Sequence, residues 1–207
     1  THVNLVTGTS TNAYGGSNTT GTVTDAYVVS NNASNLTVTN VYGGNNAGGK
    51  TVTANVNLTG GNYTNIYGGG NNAESDYTSV QVRNITVTGD FFGGGNGAAA
   101  NVNFNTNVNF VSSNITGDLF GGGNNGQVIG NTNVLINGST VQGSAYGGGN
   151  GTTAVVHGDT NITVHNSSLI YEHVFGGGNA ANTGTSSTNN STSTVNIAGG
   201  TVRKNVY

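Results

Sequence analysis

Apolar residues along this chain alternate with polar ones in short runs and do not recur at helical spacing. Val3 and Leu5, Val56 and Leu58, Val134 and Ile136, and Ile162 and Val164 each stand two residues apart. A period of two places both members on one side of an extended strand, so each run reads as a strand with one face turned inward. A second short strand follows each run, carrying Ile115, Val141, Leu169 or Val202, and ends in an apolar–aromatic pair. A third is expected in "GQVIG" from Gly126 and "TAVVHG" from Thr153. The pattern predicts about three strands of roughly three to six residues per unit, separated by Gly, Asn or Asp corners. Gly, Thr, Asn and β-branched residues are poor helix formers, and no helix is expected.

The unit repeats. An aromatic residue precedes a glycine-rich corner at Tyr14, Tyr42, Tyr67, Phe92, Phe120, Tyr146 and Phe175, and Tyr207 ends the series; the intervals are 28, 25, 25, 28, 26, 29 and 32 residues. About a dozen residues ahead of the aromatic stands "THVNLVTG" at Thr1, "ANVNLTGG" at Ala54, "TNVNFVSS" at Thr106, "TNVLINGS" at Thr132, "TNITVHNS" at Thr160 or "STVNIAGG" at Ser193. "DAYVVSNN" from Asp25 and "TSVQVRN" from Thr78 are degenerate copies. A propeller blade needs about 40 to 45 residues, whereas this period suits one coil of a parallel β-helix. The expected architecture is an all-β, single-stranded parallel β-helix, or β-solenoid. It forms one domain over residues 1–207, with about eight coils at roughly 4.8 Å spacing and a rod of about 35–40 Å. The crossover rule makes it right-handed. One coil cannot bury its few apolar side chains; a stack turns them into ladders of Val, Ile and Leu.

The corner motif itself appears in five full copies: Tyr67, Gly68, Gly69, Gly70 and Asn71; Phe92, Gly93, Gly94, Gly95 and Asn96; Phe120, Gly121, Gly122, Gly123 and Asn124; Tyr146, Gly147, Gly148, Gly149 and Asn150; Phe175, Gly176, Gly177, Gly178 and Asn179. Glycine admits positive φ and lets backbones approach without a Cβ. A phosphate-cradling loop is excluded, because no copy leads into a helix with the required Lys and Ser/Thr. The asparagines should form a column of mutually hydrogen-bonded amides, as in other in-register β stacks. The aromatic column has two readings. Rings facing inward make a core stack packed on the glycine corners, which is the favoured arrangement. Rings facing outward make a ladder suited to sugars.

Composition narrows the function classes. There are 37 Gly, no Pro, Cys, Met or Trp, only 5% charged residues, and a net charge of −3. Lys50, Arg83, Arg203 and Lys204 are the only Lys or Arg, too dispersed for nucleic acid. Without cysteine there is no disulfide framework or thiolate metal site. No apolar stretch approaches the roughly eighteen residues of a spanning helix. A surface made soluble by Asn, Thr and Ser rather than by charge suits an extracellular setting.

Candidate chemistry is sparse. Asp90 and Asp118 occupy equivalent places in "TGDFFGGGN" and "TGDLFGGGN", so they are expected on neighbouring coils. Paired carboxylates serve glycoside hydrolysis or calcium binding, yet no third acid or basic partner aligns with them. His157, His165 and His173 fall in one copy with Glu172 and Asp159, and a surface metal site is weighed there against solvated variation. "TVT" at Thr22, Thr37, Thr51 and Thr86 raises an ice-binding Thr ladder against ordinary strand threonine. Asn-x-Ser/Thr sequons begin at Asn18, Asn32, Asn35, Asn57, Asn62, Asn84, Asn114, Asn137, Asn150, Asn161, Asn166, Asn189 and Asn190. No catalytic residue, metal or cofactor is assigned.

The segments "GNTNVLINGSTVQGSAYGGGN" (Gly130 to Asn150) and "GDTNITVHNSSLIYEHVFGGGN" (Gly158 to Asn179) resemble the "TNVxIxGGxVxGxVYGGGN" repeats of very large bacterial surface proteins of β-strand-repeat or adhesin-like type. "YGGSN" and "VYGGNN" in the first two periods depart from the triplet. The resemblance implies an extracellular solenoid stalk or adhesive fibre and carries over no catalytic residue. The leading expectation is a structural, non-enzymatic fibre segment. Its ends are expected to continue into further repeats or to stack on neighbouring subunits, since neither shows a polar cap. A glycan-binding adhesin with an outward aromatic ladder is the alternative, and a polysaccharide-cleaving β-helix the third.

Overall fold

The fold is seen in a computed structural model, which describes residues 1–184 and 191–207. The sequons at Asn189 and Asn190 lie outside the described residues. Among these residues every regular element is a strand, all strand pairings are parallel, and successive coils stack as a β-solenoid of about seven turns. Eight aromatic rings, one per step, mark the rise: neighbouring centroids are 4.8–5.1 Å apart. That is the strand-to-strand distance of a hydrogen-bonded sheet.

From Thr106 to Phe175 each coil is built alike. A six-residue strand such as Thr106–Val111, Thr132–Asn137 or Thr160–His165 is followed by two strands of two residues. In the first part of the chain these merge into continuous strands, Thr22–Tyr42 and Lys50–Tyr67, well beyond the expected length. The registers nevertheless coincide. Val28, Val56, Val80, Val108, Val134 and Ile162 form one ladder, so the degenerate copies at Asp25 and Thr78 stack like the others. The parallel ladder of Leu58, Val82, Phe110, Ile136 and Val164 lies one pleat along. Both ladders are buried and belong to one continuous core.

Two expectations shift in detail. In the second strand the inward position of the repeat ending at Phe175 is Ile170, paired with Val141, and not Leu169, which aligns with Thr140. The expected third strands are single bridges only. Ser75, Val102, Val128, Val156 and Thr183 pair one residue per coil, and the three valines form a small separate core.

Candidate functional site

The repeated corner explains itself through space. None of the fifteen glycines in the five full triplets has φ in the left-handed region. What all but Gly177 require is the absence of a Cβ. One on Gly121 would lie 2.8 Å from Val134 Cγ2 and closer still to the Gly147 carbonyl oxygen of the next coil. One on Gly122 would lie 2.8 Å from the Gly149 nitrogen. The triplet is therefore the seam where backbone packs on backbone, and the left-handed turn falls one residue after the asparagine. Asn72, Gly97, Asn125, Gly151 and Ala180 hold φ of 51°, 96°, 63°, 96° and 53°.

Beside the triplet, the asparagines form the expected amide ladder. Asn71, Asn96, Asn124, Asn150 and Asn179 each donate from Nδ2 to Oδ1 of the preceding coil's amide at 2.9–3.2 Å. Asn46 and Asn18 extend the column into the two divergent periods, with a 2.8 Å bond between them.

The aromatic column is packed. Tyr42, Tyr67, Phe92 and Phe120 are 6%, 7%, 2% and 1% exposed, and adjacent rings from Tyr14 to Tyr207 are within 3–7° of parallel. An outward ring ladder for sugars is therefore not what these residues form. The glycine corner breaks strand alternation, so both members of the apolar–aromatic pair are buried: Phe91 and Leu119 in the main core, Phe92 and Phe120 in the ring stack. Burial, with the neighbouring Tyr67 and Tyr14, pushes the Tyr42 phenol up to about 12; Tyr63, Tyr67 and Tyr146 are raised by the same desolvation.

Asp90 and Asp118 do lie on neighbouring coils. Each stands two residues before its aromatic, in a column that also holds Asn12, Asn40, Asn65, Ser144, His173 and Asn205. Asn40 and Asn65 make amide–amide bonds of 3.0 Å. A carboxylate has no N–H with which to continue such a ladder, and from Asp90 onward the mode changes. The Asp90 backbone N–H donates to Asn65 Oδ1 at 3.0 Å, that of Asp118 to Asp90 Oδ1 at 2.9 Å, and that of Ser144 to Asp118 Oδ1 at 2.6 Å. The acids thus act as corner acceptors for the next coil's backbone. Burial raises the Asp118 carboxyl above its ordinary value; the Ser144 N–H opposes this, and Asp90 and Glu172 add to it.

The histidines do not converge. His157 Nε2 is 3.0 Å from Gln127 Oε1, His165 is exposed at the end of a long strand, and His173 Nδ1 accepts the Asn205 backbone N–H at 3.2 Å. Among the described residues no group of three or more His, Asp or Glu is placed to hold a metal ion. The threonines of the "TVT" segments also divide: Thr37 and Thr86 both align with Asn62, whereas Thr51 is buried. Among the described residues Lys50 pairs with Asp76 at 2.7 Å, and Lys204 pairs with Glu172 nearer the surface. Burial works against the Asp76 carboxylate, but Lys50 and Asn103 outweigh it and hold it below its usual value.

A further structural column escaped the sequence reading. Thr78, Thr106, Thr132 and Thr160 are buried and donate Oγ1–H to the carbonyl of the first triplet glycine across the coil, at 2.5–2.6 Å. The signal was present, since the Thr of "TNV" stands two residues before an inward Val and so shares its face. Its ordinary strand propensity concealed it. No family model matches this chain, and neither a curated protein nor a solved structure matches it.

Proposed function

We propose that the chain is a structural, non-enzymatic segment of an extracellular or cell-surface fibre, stacking end to end with further coils of the same geometry. The observation that carries this reading is the continuity of its columns. Rings, amides and apolar ladders repeat at every coil, so each coil offers above what it accepts below. In the structure His2–Leu5 pairs on one side with Tyr27–Ser30, and Ser193–Ile197 pairs on one side with Thr160–Val164. A further coil, from the same polypeptide or another copy, would pair with either edge. The polar, nearly uncharged surface and the resemblance of Gly130 to Asn150 to bacterial surface repeats support an extracellular setting.

Negative-stain electron microscopy of the purified chain tests the proposal. Filaments of constant width, lengthening with concentration, are the expected result. Short discrete particles at every concentration, rapidly cut by a broad-specificity protease, would overturn it.

A further inference from the structure

The outer face of the long strands carries a feature that the fibre role does not use. Three depressions run along it, the largest of about 590 Å³ and its neighbours of about 210 and 160 Å³. Gln81 lines all three, so they form one continuous groove crossing the coils.

One wall is a single register column in which Asn55, Ser79, Asn107, Asn133 and Asn161 follow one another coil by coil. Asn133 Nδ2 donates to Asn107 Oδ1 at 3.1 Å, and Asn161 Nδ2 to Asn133 Oδ1 at 3.2 Å. An amide has two N–H groups and two lone pairs. The ladder uses one of each along the axis and leaves a second donor and a second acceptor per coil for whatever fills the groove. The next column adds Asn109 and the aliphatic Leu135 in the middle of the main hollow. No charged residue lines that hollow. At one end of the groove Tyr27 is exposed and stacks on His2, with ring centroids 5.7 Å apart.

These features select among occupants. A nucleic acid or polyanion finds no cations in the main hollow and only Arg83 in the smaller depression beside it, too few to neutralise a row of anionic groups. An extended peptide adding a strand needs an open backbone edge, and these strands are paired on both sides within the stack. A second copy would present the same concave face, and two hollows do not interdigitate. A neutral polysaccharide meets every requirement: its hydroxyls both donate and accept, its C–H faces suit Leu135 and Tyr27, and its length matches a groove along the axis.

We propose that this groove binds a neutral polysaccharide, laid along the rod axis over the Asn107–Asn133–Asn161 ladder. Affinity electrophoresis in native gels containing soluble mixed-linkage β-glucan, galactomannan or dextran tests it, with polygalacturonate as the anionic comparison. The full chain should be retarded by at least one neutral polymer and not by polygalacturonate. Leu135→Lys and Asn133→Ala, checked for folding by circular dichroism, should lower that affinity at least tenfold. Gln142→Lys, exposed and outside the groove, should bind as the parent does. No retardation by any neutral polymer, preference for polygalacturonate, or unchanged binding by folded groove variants would overturn the proposal. The gel reads binding and not filament length, so its failure leaves the fibre reading to be judged by microscopy.

Discussion

At the scale of single residues, identical glycines meet different demands, and mutation should separate them. Gly121→Ala forces a Cβ against backbone of the next coil and against Val134. Neither neighbour is the end of a flexible side chain, so the coils must part. A loss of about 3 kcal/mol is expected in urea denaturation, near the upper end for overpacking because backbone is what must move. Ala180 is the opposite case, an alanine at φ 53° where equivalent positions are Asn or Gly. Ala180→Gly should stabilise by about 1 kcal/mol in the same measurement. The Thr column offers a third test. The carbonyl of Gly147 receives its hydrogen bond from Thr132 Oγ1, and both are buried. Thr132→Val keeps the shape and leaves that carbonyl without this donor, at an expected cost of about 1–3 kcal/mol.

At the scale of the columns, continuity matters more than any single pair. Stacking fixes the rings at the coil pitch, and offset near-parallel rings at this distance attract modestly beyond the area they bury. Because burial raises several phenols, the folded column resists ionisation. An acid whose folded value lies above its unfolded one contributes stability that is full below the unfolded value and is lost as pH rises through the folded value. For Tyr42 that window runs from 10.0 to about 12, with up to about 3 kcal/mol lost across it. The tyrosinate absorbance of Tyr42, read as the difference between the parent chain and Tyr42→Phe, should therefore appear together with loss of the β circular dichroism signal; its appearance with the fold intact would refute this. The same sign applies to Asp118, whose carboxyl is also raised. Its protonation favours the fold on acidification, and Asp118→Asn, which keeps the Oδ1 acceptor, should raise the melting temperature at neutral pH.

For the whole molecule, each coil touches mainly the coils above and below it, so stability is a sum of nearest-neighbour terms. The central coils have neighbours on both sides, and their side chains are the most buried, as Phe91, Phe110, Leu119 and Ile136 show. The outermost coils leave Leu5 and Val195 half-buried and Ile197 exposed. Hydrogen exchange should show the amides of residues 78–156 opening last, with protection falling toward both edges. Uniform protection along the chain would contradict nearest-neighbour stabilisation. Added coils or copies at either edge should carry protection outward, which links this measurement to filament formation.

The recurrence of aromatic, glycines and asparagine, with period-two apolar runs between, was sufficient to specify a parallel solenoid, its coil length and its amide column. Parallel in-register stacking reproduces any sequence repeat as a spatial column, so periodicity translates directly into geometry. The favoured inward packing of the rings holds, although alternation alone pointed weakly the other way: it predicts facing only within an unbroken strand, and the glycine corner lets Phe91 and Phe92 both be buried. The sequence favoured turn aspartates over paired catalytic carboxylates at Asp90 and Asp118, yet the acceptor role of each was not legible. Only the structure places each oxygen beneath a backbone N–H of the coil above. The groove, too, arises from how neighbouring coils set Asn107, Asn133, Gln81 and Leu135 side by side. Local pattern thus determined what stacks; the contact between coils decided which way each stacked side chain points.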